Sequence, residues 1–250
     1  MIIEYHRPET IEEALRLLGR SQPVTVPLAG GSTLAAPARE QVAAVDLQDL
    51  GLNTLQARGN TLDLGATATL QSLLDSDAIS PELKDVVRQE ATYNLRQVAT
   101  VAGTLVSAGG RSPFATALLA LDAVLILLPG EETVSLGDLL PFRGERLPGR
   151  LITRVTLPAN ARLAYAAVAR TPADQPIVCA AVAVWPSGRT RVALGGHGRA
   201  PLLAFDGSEP AGADIAARSA YSQAADEWAS AAYRSETAAT LTRRLLEASD

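Results

Sequence analysis

Two stretches of this 250-residue chain combine glycine with hydroxyl side chains in the way an anion cradle requires. The first is Leu28-Ala29-Gly30-Gly31-Ser32-Thr33-Leu34. Glycine lets a backbone turn sharply and approach a ligand closely, so successive N–H groups can converge on phosphate oxygens. Ser32 and Thr33 add hydroxyl donors; a plain tight turn between strand and helix fits the same residues. The second is Thr100-Val101-Ala102-Gly103-Thr104, with Gly109-Gly110-Arg111 and a helix start at Ser112-Pro113 after it. Small residues there admit a pyrophosphate, and a helix N-terminus attracts an anion. A loop kept small by tight packing is the competing reading. Arg111 can fork onto a phosphate beside that helix start, or stand as a solvated surface arginine. A third glycine cluster, Gly195-Gly196-His197-Gly198, follows a strand-like run. Its His197 has no second histidine or acidic cluster at metal-ligand spacing, which argues against zinc.

Other chemistries are missing from the sequence. There is no P-loop, no G-x-G-x-x-G after a strand, no H-E-x-x-H and no G-x-S-x-G elbow. Asp46, Asp63 and Asp122 fall at strand or helix ends, where caps and turn contacts explain them better than an acid–base pair. The single cysteine, Cys179, excludes an internal disulfide and an iron–sulfur cluster ligated by this chain alone. It lies in an apolar run, as a buried structural thiol does. A net charge of −5 gives no electrostatic drive toward nucleic acid or anionic lipid. The opening residues lack the basic and apolar regions of a signal peptide. The most apolar stretch, residues 115–128, is interrupted by Asp122 and too short to span a bilayer. The chain is therefore expected to be cytoplasmic, without membrane insertion.

The elements that must position these glycines follow from local pattern. Thr10-Ile11-Glu12-Glu13 has capping-box spacing, and Ala14, Leu15 and Leu18 continue it as an amphipathic helix that stops at Gly19. Val24, Val26 and Leu28 alternate as a strand leading into the first glycine turn, and residues 42–47 form a second strand. Residues 52–57 and 62–66, joined at Gly59-Asn60, read as a hairpin. Helices are expected over residues 69–74, 81–91 and 112–123, the last opened by an N-cap serine and a first-turn proline. Residues 93–110 show no clean period. Residues 124–128 and 151–157 read as strands. After Pro158 the pattern changes to three antiparallel strands, over residues 163–170, 177–185 and 190–194, and then to an alanine-rich helical tail.

In order along the chain, these pieces resemble the FAD-binding medium subunit of molybdenum hydroxylases, the xanthine dehydrogenase and carbon monoxide dehydrogenase family. The resemblance rests on Tyr5-His6-Arg7-Pro8-Glu9-Thr10-Ile11-Glu12-Glu13-Ala14, the turn at Leu28 to Leu34, and Leu64-Gly65-Ala66-Thr67-Ala68-Thr69. It continues through Ala117-Leu118-Leu119-Ala120-Leu121-Asp122-Ala123, Leu151-Ile152-Thr153-Arg154-Val155-Thr156-Leu157-Pro158 and Arg170-Thr171-Pro172-Ala173-Asp174-Gln175-Pro176-Ile177-Val178. Leu194-Gly195-Gly196-His197-Gly198 and Tyr233-Arg234 complete it.

The resemblance implies an α+β chain with a vanillyl-alcohol-oxidase-type FAD-binding fold. Two α/β subdomains, about residues 1–55 and 56–158, would be followed by a C-terminal domain over residues 159–250. That domain is expected to hold a three-stranded antiparallel sheet plus helices. FAD contacts are implied at the first two glycine segments and at Ile152, and Arg111, beside the altered second loop, is the candidate for a compensating contact to the FAD phosphate. The implied partners are a small subunit with two 2Fe–2S clusters and a large molybdopterin-binding catalytic subunit, assembled as a dimer of heterotrimers. Electrons would pass from the clusters through FAD to an external acceptor, with no catalytic residue for the organic substrate in this chain.

The sequence departs from the family at several points. Where the second FAD loop usually reads roughly Gly-Thr-Ile-Gly-Gly-Asn, this chain has Ala99-Thr100-Val101-Ala102-Gly103-Thr104. Pro113 stands where an aspartate is usual, Ala166 where a lysine commonly touches the flavin, and the chain is shorter around residues 129–151. These departures keep a flavin-free scaffold subunit open beside the electron-transfer reading.

Overall fold

The computed structural model describes residues 1–32 and 41–248. The first layer is a parallel three-stranded sheet of β1 (Ile2–His6), β2 (Thr25–Leu28) and β3 (Val42–Asp46), in the order β1-β3-β2. Its helix α1 (Ile11–Leu18) starts as expected at Thr10, whose hydroxyl accepts from Glu13 N–H. Ala14, Leu17 and Leu18 of α1 pack with Val45, Leu47 and Leu151. Strand β1 goes beyond the sequence expectation: it is an edge strand whose largely exposed residues give no burial alternation.

The second sheet is antiparallel, ordered β4-β5-β8-β6-β7. It consists of β4 (Leu55–Arg58), β5 (Thr61–Gly65), β6 (Val124–Leu128), β7 (Glu132–Ser135) and β8 (Leu151–Pro158). The hairpin β4–β5 and strands β6 and β8 lie close to their sequence positions; β7 is additional. The main core gathers this sheet with α2 (Leu70–Asp75), α3 (Pro81–Glu90), α5 (Val101–Ser107) and α6 (Pro113–Ala120). The four-residue helix α4 (Tyr93–Arg96) leads into α5, and two more, α7 (Leu136–Leu139) and α8 (Arg143–Arg146), precede β8.

Helix α5 corrects the expectation of an aperiodic segment. Its sequence, with β-branched residues and a glycine, has weak intrinsic helicity. Burial of Val101, Thr104 and Leu105, together with the Thr100 cap on Gly103 N–H, outweighs that propensity.

The C-terminal sheet has four strands, not the three expected, ordered β12-β11-β10-β9 and antiparallel throughout. They are β9 (Arg162–Val168), β10 (Val178–Val184), β11 (Thr190–Gly195) and the additional β12 (Leu202–Gly207). β12 is only partly buried, so the clean in–out alternation that marks a half-buried strand is weak in its sequence. Helices α9 (Ala213–Ala220) and α10 (Ala231–Glu247) cover one face, where Tyr221, Ala238 and Leu245 meet Val178, Ala180 and Val182. The other face packs on α6: Ala181, Ala183 and Ala193 belong to the same core as Phe114 and Leu118. Every residue of α6 is buried, so it serves two sheets at once.

Candidate functional site

Strand β2 ends at Leu28, whose carbonyl accepts from Leu47 N–H at 2.9 Å, and the chain then turns through Ala29, Gly30, Gly31 and Ser32. The two glycines are required for different reasons. A methyl on Gly30 would lie 1.6 Å from the Val98 carbonyl oxygen, so only glycine allows this backbone approach. Gly31 has φ +71°, in the left-handed region, while a methyl there would meet only Leu28 Cδ1 at 3.5 Å. Among the described residues, nothing accepts from the N–H groups of Gly30, Gly31 or Ser32. The turn therefore presents three successive donors without an acceptor among the described residues, the donor set an anion needs. Thr33 and Leu34, the last two residues of this candidate segment, lie outside the described residues.

The first segment is seated against the two residues that lead into the second, through Gly30 on Val98 and Ala99. Four of the second segment's five backbone donors are closed. Val101 N–H donates to Ala68 O at 2.9 Å, Ala102 N–H to Ala66 O at 3.0 Å and Thr104 N–H to Thr100 O at 2.8 Å. Gly103 N–H donates to Thr100 Oγ1 at 3.2 Å. Backbone phosphate binding, one of the two readings of this segment, gives way to the other. Its residues are small where α5 starts in close contact with the β5–α2 connection, through the Ala66 and Ala68 carbonyls. Ala102 and Gly103 still offer a surface without long side chains.

Gly110 belongs to a different junction. Its N–H donates to Gly198 O at 3.1 Å and its carbonyl accepts from Gly196 N–H at 2.7 Å. A methyl on Gly110 would lie 2.0 Å from His197 O, and one on Gly195 would lie 2.4 Å from Thr116 Oγ1. The third glycine cluster is thus a packing joint. No group of three His, Cys, Asp or Glu among the described residues could hold a metal ion.

Arg234, fully buried, ties this joint to the C-terminal helices. It donates to Ile177 O, Ala224 O, Ala229 O and Gly196 O at 3.0–3.4 Å and pairs with Asp226 at 2.8 Å. Nothing in its local sequence marks it for this role, because its acceptors are scattered along the chain.

Arg111 is engaged within the chain. Its Nε and Nη2 donate to the Pro176 and Gln175 carbonyls at 2.8 and 2.9 Å, and its guanidinium lies over Trp228, 4.5 Å from the ring centroid. From a partly exposed position, two of its guanidinium nitrogens hold a neighbouring loop. Ile152 is 6% exposed on β8 opposite Leu127, within the main core. Ala166 packs toward the α9–α10 cluster. Ala167, on the other face of β9, instead lines a groove of about 250 Å³ with Pro113, Ala169, Arg170 and Asp174.

The aspartates hold structure. Asp46 accepts from Tyr5 OH and Gln48 N–H, Asp63 from Thr156 Oγ1, and Asp122 pairs with Arg189 and Arg191. Cys179 is fully buried and its thiol is pushed up to about 11 by burial, which leaves it unreactive at neutral pH.

Glu90 is the carboxylate with an unusual setting. Its Oε2 accepts from Ser112 Oγ and from Phe114 N–H, both at 2.8 Å, at the start of α6. Burial raises its pKa, partly offset by those two donors. A raised folded-state pKa gives stability that is complete below the unfolded carboxylate range and is lost as pH rises through the raised value. Glu90→Gln keeps an acceptor for both donors without the buried charge. Its unfolding free energy should therefore equal wild type in acid and exceed it at neutral pH. Glu90→Leu should lose about 1–3 kcal/mol, because it strands a buried N–H. Urea titrations at two pH values check both; a neutral-pH loss for Glu90→Gln would show that the charge itself is needed.

The sequence matches the family described as FAD binding domain in molybdopterin dehydrogenase over residues 1–160. The chain belongs to this family. It is 33% identical to the Escherichia coli K12 protein YgfM over 82% of this chain and 79% of that one. It is 26% identical to the glyceraldehyde dehydrogenase medium chain of Sulfolobus acidocaldarius over 81% of this chain and 78% of that one. Its fold superposes on a chain of the cyanide-inactivated Cu,Mo-CO dehydrogenase with a TM-score of 0.83 and 25% identity, over 99% of this chain and 97% of that one. The α+β FAD-binding fold expected from the sequence is thus borne out. The chain is a FAD-binding medium subunit of the molybdenum hydroxylase family, and FAD is the cofactor of its fold. That finding favours the flavin-holding reading over the flavin-free scaffold. No helix among the described residues is long and apolar enough to cross a membrane.

Proposed function

We propose that this subunit relays electrons from the iron–sulfur clusters of a small partner to an external acceptor. It would do so within a complex that also contains a large molybdopterin-binding subunit, with the trimers paired. The observation that carries this reading is the run of three N–H donors at Gly30, Gly31 and Ser32 without an acceptor among the described residues, in a turn seated on Val98 and Ala99.

The residues present fit the cofactor's anionic part. The first turn would hold the pyrophosphate through backbone donors, with Leu28 and Ala29 fixing its approach from β2. Thr100, Val101 and Thr104 would support that turn from behind, while Ala102 and Gly103 give the cofactor close access. Ile152 would act as buried packing and Arg111 through the loop it holds. FAD, when bound, supplies the exchange between one-electron and two-electron carriers. The reading assigns this chain binding, orientation and assembly. It is consistent with the absence, among the described residues, of three ligating side chains at any metal-binding spacing.

Co-expression with adjacent genes and purification through this chain tests the proposal. Oxidised-flavin absorbance and co-purifying iron–sulfur and molybdopterin proteins are expected. A lone, stable species that oxidises an organic substrate without partners would overturn it.

A further inference from the structure

The two edges of the first sheet, β1 and β2, are built differently. Strand β2 carries Pro27, which has no N–H to offer a further strand, and Pro23 stands just before it. Strand β1 carries neither proline nor lysine, the residues that commonly keep an edge from pairing. Its side chains add to the exposure: Met1, Ile2, Ile3 and Tyr5 are 43–65% exposed, a run of large apolar groups along one short edge. The register of β1 on β3 is irregular between Ile2 and Glu4 and regular from Glu4 to His6. A regular, apolar edge without a block is a template for strand addition.

We propose that the occupant is a second copy of this chain, whose β1 runs antiparallel to the first across a twofold axis at Tyr5. The two three-stranded sheets then join into one of six strands. The run Glu4-Tyr5-His6 singles out this occupant, because it is complementary to itself. With Tyr5 opposite Tyr5 of the second copy, each Glu4 stands opposite a His6, and opposite charges directly across a ladder stabilise it. An axis at Glu4 would instead set carboxylate against carboxylate. The side chains are already arranged for this. His6 Nε2 lies 2.9 Å from Glu4 Oε2, and Arg20 donates to the same oxygen at 3.0 Å, which keeps both ladder residues on one face. Tyr5 is steadied by its hydroxyl, which donates to Asp46, and its half-exposed ring is left for its counterpart. One strand pair buries far less than the roughly 1,200 Å² of a stable interface, so the dimer is weak and depends on concentration. The inference is independent of the flavin reading.

Sedimentation velocity of the full chain over a concentration series should show a monomer–dimer equilibrium. His6→Glu, which sets each Glu4 against a second glutamate, should weaken association severalfold. Tyr5→Cys should form a disulfide-linked dimer on mild oxidation, because residues directly opposite across a ladder lie within disulfide reach. Cys179 is fully buried and does not compete. Ile3→Cys should not crosslink, since Ile3 of the two copies would lie about 14 Å apart along the strands. Far-UV circular dichroism checks that each variant folds. A monomer at every concentration, unchanged association in His6→Glu, or equal crosslinking at positions 3 and 5 would overturn the proposal. It is overturned too if a co-purifying subunit shields the β1 amides from hydrogen exchange and the chain stays monomeric without it.

Discussion

Arg234→Met should lower the unfolding free energy by about 3–5 kcal/mol, the range for breaking a buried charged network by removing one partner. The side chain is fully enclosed, so its deletion cannot be repaired by water entering from the surface. Four carbonyls lose their donor, and three of them, on Ile177, Gly196 and Ala224, come from separate turns that meet at this point. Asp226 is partly exposed and can turn to solvent, so the carbonyls dominate the cost. Arg234→Lys should recover only a fraction, since one ammonium cannot span acceptors held by three guanidinium nitrogens. Chemical denaturation of the two variants against wild type measures both effects. A loss under 1 kcal/mol for Arg234→Met would mean that the joint is held by packing alone.

The second large effect belongs to the first glycine turn. Gly30→Val should remove at least nine-tenths of the bound FAD, because its Cβ cannot coexist with the Val98 carbonyl 1.6 Å away. Either the turn or the Val98 peptide must move by more than about an ångström, and the donors at residues 30–32 are displaced with the turn. Gly31→Ala is the informative contrast. It has room for the methyl and suffers only the left-handed backbone penalty, about 1–2 kcal/mol. It should weaken FAD retention without abolishing it. Gly59→Ala, at φ +59° in open space on the β4–β5 turn, supplies the same backbone penalty away from the site. Flavin absorbance per polypeptide after gel filtration, with far-UV circular dichroism as the fold control, orders the three variants. Full flavin content in Gly30→Val would refute the seating of this turn as the cofactor's support.

What the sequence could reveal was set by the range of the interactions involved. Thr10 capping Glu13, Ser112 with Pro113 opening α6, and the Gly59 turn of the hairpin are all settled within four residues, and each was legible. Helix α5 was not, because burial of Val101, Thr104 and Leu105 and the acceptors Ala66 O and Ala68 O, more than thirty residues away, outweigh its own weak propensity. Strand β12 escaped because its side chains are half-covered on both faces. At the site, Gly30 and Gly31 were recognisable as glycines with a purpose, but which of them is steric and which conformational required the position of Val98. Arg111 was visible as a charge beside a helix start, while its true acceptors lie 64 and 65 residues along the chain.

Helix α6 limits how this protein can be divided or recombined. The family match ends at residue 160, which invites a cut there or an exchange of the C-terminal half between relatives. Such a cut would leave one face of α6 without Ala181, Ala183 and Ala193, and would strip Gly110 of the Gly196 and Gly198 backbone that holds it. An imported C-terminal half would have to bring small residues at those same three positions, or the helix would be pushed off the main core. The second and third sheets therefore share one interior through α6, and the apparent boundary near residue 160 divides the sequence without dividing that interior.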